Sequence, residues 1–142
     1  GYSHICDNEY EELTMTLLID GVVDVEAITT TALDYAEGAY TGDGARMERA
    51  LHGQLAKRMV MTGADGKSRL VQMSALELVQ YARDGHGLQP ENNRQRDIQI
   101  LNIFQNVANV RLEMNDWIDY LQLARWNGRW VIVNVLWELK AR

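Results

Sequence analysis

Six side chains carry useful or awkward chemistry where the pattern places them: Tyr35, His52, Arg58, Trp117, Asp119 and Asn134. An unperturbed histidine titrates at roughly 6.5, so His52 can give or take a proton near neutrality. The plainer reading is a histidine that satisfies a helix-end carbonyl. Asp119 stands in the alternating apolar run "WIDYLQLARW", where a carboxylate needs a partner or a raised pKa. It is either half of an ion pair, with an arginine such as Arg58, or a functional acid. Trp117, Trp130 and Tyr35 offer flat faces for a planar ligand, with core packing the alternative, above all for Trp130. Asn134 lies among Ile132, Val133, Val135 and Leu136, and a buried amide there must find partners. Met59, Met61, Met73 and Met114 suit core or a flexible pocket wall. His4, His52 and His86 share no ligand spacing, so no metal is expected. "GADG" and "GDG" read as a turn and a helix stop rather than phosphate loops, and no cofactor is expected.

The elements that must position these groups follow from periodicity. Asp24 can cap a helix that carries Val25, Ile28, Ala32, Tyr35, Ala36 and Ala39 at helical spacing. Gly42 ends it, and Asp43 can cap a shorter helix with Met47, Ala50 and Leu51 on one side. A hairpin is expected at Ala64-Asp65-Gly66, between "AKRMVMT" and "KSRLVQM". Ser74-Ala-Leu-Glu77 is a capping box for a third helix, closed by Gly85. Residues 85–96 form a polar loop with the single proline. Strands are then expected over Ile98–Phe104, Ala108–Met114, Trp117–Trp126 and Arg129–Leu139. Residues 1–23 form an extension of uncertain structure, a short strand or a helical turn around Leu17–Ile19. Residues 24–142 form one domain. Helices packed on one face of a curved antiparallel sheet make an α+β fold.

Asn127-Gly128 is a two-residue hairpin signal, since both central positions of a type I′ turn need positive φ. An unbroken register from that turn sets Leu123 against Ile132, Leu121 against Asn134 and Asp119 against Leu136. One sheet face then carries Trp117, Asp119, Leu121, Leu123, Trp130, Ile132, Asn134 and Leu136. The outer face carries Tyr120, Gln122, Ala124, Val131, Val133 and Val135, with Ile118 and Trp137. Both faces are largely apolar. Helices cover one, and the other is expected to form a homodimer, unless the first 23 residues cover it.

Composition narrows the function classes. The chain has 142 residues, 46% of them hydrophobic, and one cysteine. That suits one domain with one core and leaves Cys6 without an intrachain disulfide partner. No run approaches the ~18 apolar residues of a membrane span. The net charge is −6, and residues 1–45 hold ten of the 20 acids and no Lys or Arg. An acidic chain without a basic cluster is a poor partner for nucleic acid or an anionic membrane. A cytoplasmic location is expected, with a leader already removed as the open alternative.

Two strings carry a family resemblance: "YAEGAYTGDGARMERALHGQLAKR" and "DWIDYLQLARWNGRWVIVNVLWE". They resemble the putative lumazine-binding, SnoaL-like branch of the nuclear transport factor 2-like superfamily, from about Asp24 to Glu138. Tyr35, Gly38, Gly42-Asp43, Met47, Leu51-His52, Lys57-Arg58 and the Trp130–Trp137 strand carry it. The resemblance implies a cone-like sheet wrapped around the N-terminal helices, an apolar pocket and dimerisation through the sheet. It speaks to fold more than to chemistry, because one fold hosts unrelated functions. Ketosteroid isomerases of this superfamily are matched at Tyr35, their oxyanion-holding tyrosine, and approximately at Asp119, a second donor. Their general base is missing, since Arg58, Met59 and Val60 stand where a carboxylate is needed. Gly53-Gln54 also replaces the Pro-Asp usual in the branch. Cyclases and dehydratases of the superfamily use His and Asp pairs, which makes His52 with Asp119 the catalytic expectation. Tyr35, Arg58, Trp117 and Asn134 are then the ligand-binding set. The favoured reading is a small-molecule-binding protein without turnover. The alternatives are a cofactor-independent lyase, isomerase or cyclase, and a structural dimerisation module.

Overall fold

The structure is a computed structural model that describes residues 2–141, with side chains from Asn8 to Ala141. His4 and Cys6, for which the sequence predicts no ligand set and no disulfide, lie outside the described side chains. Three α-helices lie among the described residues, two before the first strand and one after the second: α1 (Tyr2–Thr41), α2 (Gly44–Ala50) and α3 (Ala75–Arg83). Six strands complete the fold: β1 (Leu51–Thr62), β2 (Ser68–Ser74), β3 (Asp97–Phe104), β4 (Val107–Glu113), β5 (Trp117–Trp126) and β6 (Arg129–Leu139). They form one sheet in the order β2-β1-β6-β5-β4-β3. All pairs are antiparallel except β1 and β6, which run parallel, so the sheet is mixed.

The stops and caps follow the local chemistry. Gly42 takes φ +72° and ends α1, a conformation that costs glycine nothing extra. Asp43 caps α2 by accepting from Arg46 N–H at 3.0 Å. Ser74 and Glu77 make both halves of a capping box at α3. Gly38 lets α1 and α2 approach, because a Cβ there would lie 2.9 Å from Met47 N. The buried face of α1 (Ile28, Ala32, Tyr35, Ala36, Ala39) meets Met47 of α2 and Leu78, Val79 and Ala82 of α3. Together they pack on the inward residues of the sheet, among them Leu112, Leu121, Leu123 and Ile132.

Three expectations are corrected. Residues 2–23 are neither strand nor isolated turn; they continue α1 as a single helix, and every described side chain from Asn8 to Val23 is exposed. Asp24 is therefore interior to the helix rather than its cap. Its Oδ1 instead accepts from Arg125 Nη2 at 2.7 Å and Trp130 Nε1 at 3.3 Å, which ties α1 to the β5–β6 hairpin.

The third correction concerns register. Asn127 and Gly128 take positive φ as expected, and the pairing runs as derived up to Leu123↔Ile132. A bulge at Val133 then sets Gln122 against Asn134, Leu121 against Val135 and Asp119 against Trp137. One extra residue reverses every later side chain. Val135, 2% exposed, and Trp137 turn inward, while Asn134 and Leu136 turn out. Val135 thus leaves the expected outer-face set, and Val131 is buried as well. Tyr120 and Gln122 are exposed, and Ala124 and Val133 half-buried.

Candidate functional site

The inner face of the sheet holds a buried polar cluster beneath the helices. Lys57 reaches it because Leu55, Lys57 and Met59 alternate inward along β1. Asp119 points inward from β5 with 0% exposure, and Tyr35 comes from the buried stripe of α1. Lys57 Nζ donates to the Tyr35 hydroxyl at 2.6 Å and lies 3.7 Å from Asp119 Oδ1. Trp117 Nε1 donates to Asp119 Oδ2 at 2.9 Å. Asp119 Oδ1 has no hydrogen-bond partner among the described residues. That is a costly state for a buried carboxylate oxygen, and it asks for an explanation.

Aromatic rings surround the amine. Lys57 Nζ lies 4.8 Å from the centre of the Trp137 ring, 5.3 Å from Tyr35 and 5.5 Å from Trp117, all within cation–π range. Burial draws the Lys57 amine below the ordinary lysine range, although Asp119 pulls it back upward. Burial lifts the Asp119 carboxyl above its ordinary range, against the pull of Lys57 and the Trp117 and Tyr35 contacts. Burial, reinforced by the Asp119 charge, pushes the Tyr35 hydroxyl well above the usual tyrosine range. The amine and the carboxyl each move towards their neutral forms, as desolvation dictates.

This cluster borders a cavity of about 70 Å³ lined by Tyr35, Lys57, Met73, Tyr81, Trp117 and Trp137, with Ala39, Met47 and Leu78 completing it. Its walls are apolar and aromatic apart from the Lys57 amine and two phenol groups. Asp119 is not among the lining residues. The arrangement therefore sets one amine, with a carboxylate oxygen 3.7 Å away, against a small apolar space.

The six residues singled out in the sequence divide into three places. Tyr35, Trp117 and Asp119 meet in the cluster. Arg58 and Asn134 share a groove of about 580 Å³ on the outer sheet face, with Tyr120, Gln122 and Leu136. There Arg58 Nε donates to Gln72 Oε1 at 3.0 Å, so the cation beside Asp119 is Lys57 and not Arg58. Strand alternation is the reason, since neighbours on β1 face opposite ways. Asn134 donates to Gln122 Oε1 at 3.2 Å, sent outward by the bulge. His52 lies apart, with Nδ1 accepting from Gln54 N–H at 3.0 Å and its ring edge-on to Trp126 at 4.7 Å. It is not among the residues that line the Lys57 cavity, and its contacts are with Gln54 and Trp126 rather than Asp119.

Met73, expected as core or a flexible pocket wall, lines the cavity, whereas Lys57, Tyr81 and Trp137 carry no site expectation from the sequence. The alternation Leu55-Lys57-Met59 was a readable signal for a lysine facing the core. Trp137 was hidden, because its inward turn depends on the bulge.

Comparison with known proteins places the geometry in a family. A family model described as Putative lumazine-binding matches residues 23–138. The chain resembles an NTF-2 like protein of unknown function from Silicibacter pomeroyi DSS-3, with 18% identity, TM-score 0.70, and coverage of 84% of this chain and 98% of that one. An NTF2-like protein of unknown function from Methylobacillus flagellatus KT is 26% identical, with TM-score 0.68 and coverage of 84% and 94%. A putative scytalone dehydratase from Novosphingobium aromaticivorans DSM 12444 is 12% identical, with TM-score 0.57 and coverage of 85% and 87%. No curated protein matches the chain.

Proposed function

We propose, for a chain that belongs to the Putative lumazine-binding family, that it binds a small organic molecule in the cavity walled by Tyr35, Lys57, Trp117 and Trp137. One observation carries this reading: a buried amine, ringed by aromatic faces, stands in the wall of an otherwise apolar cavity. A lysine kept there costs desolvation that a purely structural core avoids with an apolar side chain. At about 70 Å³ the space is well below the 300–1,000 Å³ typical of drug-sized ligands. Its occupant has few heavy atoms, and a fused two-ring heterocycle enters only if Trp117, Trp137 or Met73 moves.

One structural neighbour, a putative scytalone dehydratase, favours an enzyme of the same fold, but this chain's His52 contacts Gln54 and Trp126 rather than Asp119. Acid–base turnover needs both groups within reach of one substrate atom. Binding without a histidine–aspartate pair is the reading that fits the positions of these residues.

Titration of the protein with isobutanol, followed by the indole N–H resonances of the four tryptophans, tests the proposal. Saturable shifts confined to Trp117 and Trp137 are expected. Ala39→Leu, which fills the cavity, is expected to abolish them. An absence of saturable shifts at either indole overturns the reading.

A further inference from the structure

The chain has three lysines, and Lys57 is unlike the other two. Lys67 is exposed in the β1–β2 turn. Lys140 is bound to Glu113 Oε2 at 2.8 Å and donates to Gln95 Oε1 at 3.0 Å. Lys57 has only 6% of its side chain exposed, and its hydrogen bond goes to a phenol rather than a carboxylate. The carboxylate oxygen that faces it, Asp119 Oδ1, is 3.7 Å away and outside hydrogen-bonding range.

We propose that Lys57 is a nucleophile that condenses reversibly with a short aliphatic aldehyde or ketone seated in the cavity. The inference rests on the reading of that cavity as a ligand site. The amine nitrogen forms a bond to the carbonyl carbon, and the carbonyl oxygen becomes the hydroxyl of a carbinolamine. That oxygen then leaves as water, carrying both remaining hydrogens of the neutral amine. Protonation of the resulting imine nitrogen gives an iminium ion, so an ammonium and a carbonyl compound become an iminium and a water with charge conserved.

The surroundings favour this product over other fates of the amine. An iminium keeps the positive charge where the ammonium now sits, facing Asp119 and the rings of Trp117, Trp137 and Tyr35. A carbamate or a bound carboxylate instead sets a negative charge beside Asp119. The apolar walls suit an alkyl substituent, and a cavity of about 70 Å³ limits it to a few carbons. Burial also favours the unprotonated amine, the form that attacks.

Reductive trapping tests the inference. The full chain is incubated with acetaldehyde and sodium cyanoborohydride, and the modified sites are mapped by peptide mass spectrometry. A single added ethyl group at Lys57 is expected, ahead of the exposed Lys67. Isobutanol at saturation is expected to suppress it, because both molecules occupy the same space. Ethylation that follows exposure, with Lys67 modified and Lys57 intact, overturns the proposal. If isobutanol still shifts the Trp117 and Trp137 indoles in that case, the binding reading stands and only the nucleophile falls. If the shifts are absent too, both fall.

Discussion

Replacing Lys57 with methionine leaves the Asp119 carboxylate in a dry site with no counter-charge. Breaking a buried pair in this way costs about 3–5 kcal/mol. Urea denaturation of Lys57→Met is expected to show that loss, and it grows as pH rises because Asp119 must then be ionised. The double variant with Asp119→Asn, which removes the orphaned charge, is expected to recover part of it. Asp34 behaves differently. Burial lifts its carboxyl, but hydrogen bonds from Arg49 and Arg46 outweigh that and hold it below its ordinary 3.8. A carboxyl with a depressed folded pKa stabilises the protein above that ordinary value, and the contribution disappears as pH falls through the folded value. The sign for Asp119 is the reverse: a raised folded pKa adds stability in acid that is lost as pH climbs from 3.8 through the folded value. Asp34→Asn is therefore expected to flatten the acid limb of a stability–pH curve, with a loss of about 1–2 kcal/mol near neutrality. An acid limb unchanged by that substitution contradicts the assignment.

At the scale of elements, the β6 bulge decides which half of the strand serves the pocket. Before Val133 the turn at Asn127-Gly128 dictates the faces; after it they are reversed. Trp137→Ala is thus expected to cost about 2–3 kcal/mol through lost apolar burial and to enlarge the cavity. Asn134→Ala is expected to stay within about 0.5 kcal/mol, the usual range for a surface change. The same urea titrations check both, and an unbroken register predicts the opposite order. Asn134, Gln122, Asn109 and Asn102 are linked in turn across the outer face by side-chain hydrogen bonds. These amides were placed on that face by pairing, not by any one strand's sequence.

Across the whole molecule, the outer sheet face exposes Val60, Leu70, Leu101, Tyr120 and Leu136 around that amide row. The larger open grooves, about 560 and 580 Å³, lie there too. Residues 8–23 of α1 do not cover the face, since their side chains are all exposed. We propose that a second copy of the chain covers it. Sedimentation at micromolar concentration is expected to give a dimer, and Leu136→Arg, on the exposed face, to give a folded monomer. A wild-type monomer under those conditions refutes it.

Local chemistry was legible in the sequence alone. The Gly42 stop, the Asp43 cap, the Ser74–Glu77 box and the Asn127-Gly128 turn each depend on a few adjacent residues. The family resemblance, carried by residues from Tyr35 to Trp137, likewise implied the α+β fold. The inward position of Asp119 followed from β5 alternation. Tertiary structure decided the rest. Residues 8–23 carry too little local signal to choose between strand and helix, because their apolar run fits both. Arg58 and Lys57 are adjacent, and only the true pairing of β1 shows which one meets Asp119. A single bulge residue carries no strong mark of its own, yet it moved Asn134 out of the site and Trp137 into it. His52 could be paired with Asp119 on paper because sequence gives no distance between strands. Residue types and short spacings fix caps and turns; which charges and rings share a cavity depends on contacts between segments far apart in the chain.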